Sequence, residues 1–122
     1  MVHAQRIFAL SGLLLATQAH GQNATQGEAI FAQRCQMCHA NTVSAASGIG
    51  PNLYGVVNRQ AGATAFAYSP ALKGSNLVWD QATLDRFLSG PGKLVPGTKM
   101  PVSISDPTER ASVVTYLSTL RK

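Results

Sequence analysis

Two thiols and an imidazole stand together in Cys35-Gln36-Met37-Cys38-His39. At the end of a helix, positions i, i+3 and i+4 share one side, so the three groups converge. C-x-x-C-H at that spacing suits attachment of a c-type haem. The thiols capture its two vinyl groups as thioethers and the adjacent imidazole binds the iron. Two other chemistries use similar residues. A zinc site needs a fourth ligand and normally a second Cys/His pair, and the other histidines, His3 and His20, lie in a segment expected to be removed. A redox-active C-x-x-C belongs beside a βαβ pattern, and no stretch of this chain alternates like a strand for more than a few residues.

With His39 on the iron, a second axial position needs a ligand. Beyond the expected cleavage point the methionines are Met37 and Met100. Met37 is pinned between the attachment cysteines and cannot reach round to the opposite face of the ring. Met100 lies in Pro96-Gly97-Thr98-Lys99-Met100-Pro101, a loop stiffened on both sides. An isolated methionine is more often a gap-filler in a core. This one falls outside any helical stripe, and His/Met is an established haem ligand pair. The expected metal ligands are His39 and Met100.

The start of the chain reads as an export signal. The amino terminus and Arg6 supply positive charge, Ile7 to Ala16 is almost entirely apolar, and Ala19-His20-Gly21 offers small residues at the positions a signal peptidase reads. The apolar run is half the ~20 residues needed to span a bilayer, and no cysteine near the cut offers a lipid anchor. The expected organisation is a cleavable signal over residues 1–21 and one domain over residues 22–122, with no stable membrane insertion. The full chain has ten Lys/Arg against five Asp/Glu, a formal charge of +5, and loss of Arg6 leaves +4. That charge is mild and scattered, without the basic stripe of a nucleic-acid binder. Acidic protein partners suit it better.

The elements that must position these residues are short. About 100 residues build only a modest core, and two cysteines so close in sequence cannot tie distant segments together. A large apolar cofactor can supply the missing interior. A first helix is expected from Thr25, with Glu28 completing a capping box, through Ile30 and Phe31 towards Cys35. Residues 40–65 read as loop. Ser69-Pro70 opens a short helical turn that ends at Gly74. Asp80 caps a third helix carrying Leu84, Phe87 and Leu88 on one face, with Gly90-Pro91 as its stop. Gly92 to Ser105 reads as a proline-stiffened loop. Asp106 and Pro107 open the last helix, where Val113, Tyr116, Leu117 and Leu120 form one apolar stripe. The fold class is all-α: short helices and long loops wrapped around one covalently bound haem.

In order along the chain, Cys35-Gln-Met-Cys-His39, Gly50-Pro51-Asn52-Leu53-Tyr54-Gly55, Arg59, Tyr68-Ser69, Trp79 and Pro96-Gly97-Thr98-Lys99-Met100 resemble the class I, mitochondrial-type cytochromes c and their bacterial periplasmic relatives. The likeness runs from about Gln26 to Leu120. It implies that the Pro51 carbonyl accepts a hydrogen bond from the His39 ring, and that Arg59, Tyr68, Trp79 and Thr98 bind the buried haem propionate. For Tyr68 and Trp79, ordinary core packing is the competing explanation. Gly27 and Phe31 resemble first-helix residues that cross the last helix near Tyr116. Two departures stand out. Phe87 occupies a position where many relatives carry tyrosine, and the ring of docking lysines is reduced to Lys73, Lys93 and Lys99.

The resemblance implies a soluble monomeric carrier of single electrons in the bacterial periplasm, not an enzyme, with one haem c attached through Cys35 and Cys38 and redox proteins as partners. A haem peroxidase or sensor would need Met100 off the iron, and no histidine follows His39 to serve a distal site. A haem subunit of a periplasmic dehydrogenase or oxidase would use the same chemistry with a permanent partner.

Overall fold

The computed structural model describes residues 19–121. The expected signal segment therefore lies outside the described residues up to residue 18. Five helices follow in order: α1 (Ala19–Arg34), α2 (Pro70–Lys73), α3 (Gln81–Ser89), α4 (Pro91–Leu94) and α5 (Pro107–Thr119). Among the described residues the only extended pairing is an isolated antiparallel bridge between Gln60 and Val78. The all-α expectation holds.

Three helix starts follow the local chemistry of their caps. A helix leaves its first N–H groups without partners, and a side-chain oxygen just before it can accept from them. Ser69 Oγ accepts from Leu72 N at 3.2 Å. Asp80 Oδ1 accepts from Thr83 N at 2.7 Å. Asp106 Oδ1 accepts from Thr108 N and Glu109 N at 2.7 and 3.1 Å. Pro70, Pro91 and Pro107 each open a helix, where a missing N–H is harmless.

Two boundaries differ from expectation. Helix α1 spans Ala19–Arg34 among the described residues, so Thr25 and Glu28 sit inside it, not at its start. No proline interrupts residues 19–25, and a capping-box pattern has no effect where the preceding backbone is already helical. The second difference is α4, in a stretch read as loop from Gly92 onward. Gly90 ends α3, and its N–H reaches Phe87 O. Its extended backbone then turns the chain so that Pro91 restarts a single helical turn, closed by Val95 N to Pro91 O at 2.9 Å.

Helices α1 and α5 cross at close range. A Cβ on Gly27 would stand 2.0 Å from the Ser112 carbonyl oxygen and 2.7 Å from Tyr116 Cβ, so only glycine permits this crossing. Beside it the Phe31 and Tyr116 rings pack with centroids 5.4 Å apart. On α5, Val113, Tyr116 and Leu117 are buried as their stripe requires, and Leu120 packs partly buried against the core. Ser112 and Val114 are buried as well, because α5 is covered by α1 on one side and by α3 on the other. Leu84, Phe87 and Leu88 face inward from α3, and the Phe87 and Trp79 rings lie 4.8 Å apart.

Candidate functional site

Between these helices and the loops lies a cavity of about 380 Å³. Its walls are mainly carbon, from Phe31, Leu53, Val56, Leu72, Trp79, Leu84, Phe87, Leu88, Val113 and Leu117 among others. Protein interiors are close-packed, and an apolar space of this size in so small a domain is the shape of a large apolar group. Cys35, Cys38 and His39 line it from the turn that follows α1, and Met100 lines it from the loop before α5. Two thiols, an imidazole nitrogen and a thioether around an apolar cavity fit a covalently bound haem. Met37 points elsewhere, with 87 % of its surface exposed.

Backbone geometry fixes the His39 ring from two directions. Its Nδ1 lies 2.7 Å from the Pro51 carbonyl oxygen. A carbonyl only accepts, so Nδ1 carries the proton and Nε2 keeps its lone pair. The Gly50 backbone packs against the same ring, where a Cβ would lie 2.4 Å from Cε1 and 2.8 Å from Nδ1. Burial holds the ring below the ordinary imidazole value and the bond to Pro51 partly opposes it, so the neutral, metal-binding form is favoured. Burial pushes the Cys35 thiol up, against the pull of the Arg34 charge.

The loop between His39 and Gly55 is folded onto the motif. Gly50 N donates to Cys38 O at 2.8 Å and Leu53 N to Ala40 O at 2.9 Å. On the other wall, a turn closed by Thr98 N to Val95 O at 3.0 Å leads to Met100, whose N–H reaches Thr98 Oγ1 at 3.4 Å. Met100 itself is partly buried against the core.

The remaining expected site residues converge on the same cavity. Pro51, Arg59, Tyr68, Trp79 and Thr98 all line it. Arg59 donates to the carbonyls of Asn52 and Tyr54, each at 3.2 Å. The Tyr68 hydroxyl pairs with Thr64 Oγ1. Trp79 is held by its backbone, which bonds Arg59 O and Asn58 N at 2.8 Å each.

Sequence reasoning missed the groups that hold the Met100 loop at its far end. Arg34 donates to Ser103 O at 2.9 Å and meets Glu109 at 3.4 Å. Arg110 donates to Ile104 O and Ser105 O, both at 2.9 Å, and to Asp85 at 2.9 Å. Ile104 between them is fully buried, with its N–H on Leu88 O at 2.7 Å. The local pattern of the sequence carried no signal for these contacts.

The cytochrome c family profile matches residues 24–121. The chain is 45 % identical over 96 residues to cytochrome c2 of Rhodomicrobium vannielii, covering 77 % of this chain and 76 % of that protein. It is 44 % identical over 94 residues to cytochrome c2 of Rhodoblastus acidophilus, covering 75 % and 87 %. The solved structure of cytochrome cH from Methylobacterium extorquens superposes with a TM-score of 0.73 at 45 % identity, covering 79 % of this chain and 97 % of that one. The fold and cavity define a c-type haem protein, and the chain belongs to the cytochrome c family. It carries one covalent haem c and transfers electrons; it is not an enzyme.

Proposed function

We propose that this protein shuttles single electrons between redox proteins in the bacterial periplasm, with His39 and Met100 as the axial ligands of its haem iron. One observation carries the reading: His39 and Met100 line a single apolar cavity together with both attachment cysteines. The haem supplies the Fe(III)/Fe(II) couple. The chain's residues set how easily that couple changes. The Pro51 carbonyl orients the His39 ring and raises its basicity. A thioether ligand and carbon-lined walls favour the reduced state. Arg59, Tyr68, Trp79 and Thr98 provide donors for a propionate, which is costly to bury without them. With two protein ligands no position is open for a substrate.

The same proposal includes export and docking. Cleavage before Gln22 would leave α1 to begin close to Thr25, where the capping-box residues then stand near the new terminus. No helix among the described residues is long and apolar enough to cross a membrane. Lys73, Lys93 and Lys99 are exposed, and Lys99 borders the cavity. This sparse positive charge suits acidic partners met transiently by a monomer.

The test is the optical spectrum of protein matured with c-type haem attachment, in both redox states. Low-spin bands are expected, with a weak far-red band from the iron–thioether bond. Met100→Ala should abolish that band while the haem stays covalently attached. A high-spin spectrum of the native protein would overturn the His/Met assignment.

A further inference from the structure

Asn52 hydrogen-bonds neither cysteine nor the His39 ring, yet it is the most heavily hydrogen-bonded residue of the loop that carries Pro51. Its side-chain Nδ2 donates to Thr42 O at 2.7 Å and to Ala45 O at 2.9 Å. Its Oδ1 accepts from Tyr54 N at 3.0 Å. Its own N–H donates to Ser47 Oγ at 3.1 Å, and its carbonyl accepts from Arg59 at 3.2 Å. Five bonds therefore hold Asn52: one, from its N–H to Ser47 Oγ, lies on the peptide plane immediately after Pro51, and the other four fix its side chain and its carbonyl. The two donor bonds cross to residues 42 and 45, just beyond the histidine, so one amide spans both sides of the loop mouth.

The direction of the Pro51 carbonyl depends on the torsions on either side of it. Proline restricts its own φ, the Gly50 backbone is wedged against the ring, and Asn52 holds the remaining end. We propose that Asn52 is the positioning residue for the proximal ligand: it holds the Pro51 carbonyl on His39 Nδ1 and thereby sets the imidazole's basicity and the potential of the iron. A firm bond at Nδ1 gives the ring more anionic character, which favours Fe(III). Loosening it should raise the potential. This inference rests on His39 being an iron ligand, which the spectrum of the unsubstituted protein tests separately.

The experiment compares three variants of the mature holoprotein. Asn52→Ala removes all side-chain bonds. Asn52→Ser keeps a hydroxyl that can accept from Tyr54 N but cannot reach Thr42 or Ala45, so it protects the test if the alanine variant does not fold. Asn41→Ala is the control, because Asn41 ties the same loop to Tyr116 OH at 2.9 Å and not to the Pro51 peptide. Two quantities are read: solvent exchange of the His39 Nδ1 proton by NMR in the ferrous state, and the midpoint potential. Both Asn52 variants should speed exchange on the order of tenfold or more and shift the potential upward. Asn41→Ala should lower stability with much smaller changes in both. Wild-type exchange and potential in Asn52→Ser, or equal changes in the Asn52 and Asn41 variants, would overturn the assignment.

Discussion

The two walls that present His39 and Met100 are held in different ways. The His39 wall is bonded throughout: Gly50 N, Leu53 N and the Asn52 amide all tie back to residues 38–45, and the ring has its own acceptor at 2.7 Å. The Met100 wall is held at its ends. Thr98 closes a turn on one side and three consecutive carbonyls, Ser103 to Ser105, are capped by arginines on the other. Lys99, Pro101 and Val102 make no hydrogen bond among the described residues. A ligand covalently next to an attachment cysteine and locked at its ring should outlast one suspended between two anchors. The Met100 wall should therefore open first under stress.

The largest effect is expected from damage to the better-held wall. In Gly50→Ala the new methyl must displace the His39 ring or push the Pro51 peptide away from it, since 2.4 Å is far inside contact. Overpacking of this kind costs about 1–3 kcal/mol. Chemical denaturation should show that loss, together with weakened low-spin absorption. Unchanged stability would mean that the ring is free to move and that the two walls are alike.

Arg110→Ala attacks the anchored end of the other wall. It leaves Ile104 and Ser105 carbonyls without their donor and Asp85 without its partner. The Arg110 side chain is 13 % exposed and Asp85 44 %, so solvent repairs part of the damage. A loss of about 1 kcal/mol follows from removing a donor from part-buried acceptors that water can partly serve. Denaturation followed at the far-red band should shift further than denaturation followed by helical circular dichroism. Equal shifts would show the molecule opening as one unit and would break the comparison.

The smallest effect concerns acid. Asp80 caps α3, and hydrogen bonds from the backbone and side chain of Thr83 hold its carboxyl below the usual 3.8. A carboxylate depressed in the folded state contributes stability that is fully present above its unfolded value, about 3.9, and is lost as pH falls through the folded one. Asp80→Asn retains an acceptor without the charge. Its stability should vary less than that of the unsubstituted protein as pH drops below about 4. Because α3 supports Ile104 through Leu88 O, the far-red band should report this acid difference before any signal from His39 does.

Much of the fold was legible because its signals are local. A cap bonds an N–H two or three residues away, so Ser69, Asp80 and Asp106 could be recognised by residue type and position alone. C-x-x-C-H works the same way, three donors within five residues. The stripe of α5 was readable too, although the burial of Ser112 and Val114 was not, since a second covering helix leaves no mark on the period. The helical backbone of α1 before Thr25 and the restart at Pro91 were missed because the same residues serve different roles in different backbones. A capping box inside a helix is only a threonine and a glutamate, and a proline can end one helix and open the next.

What the sequence determined by itself is the chemistry on offer: two thiols, the His39 imidazole, the Met100 thioether, and helices short enough to need a cofactor at their centre. The convergence of those groups belongs to tertiary structure. Arg34 meets Ser103 across 69 residues and Arg110 meets Asp85 across 25, distances over which neither residue type nor spacing predicts a partner. Asn52 looks like any loop asparagine until the chain has folded back to place Thr42 and Ala45 within its reach. Local bonds are written in local patterns, whereas a bond between distant segments exists only after packing has brought both ends together.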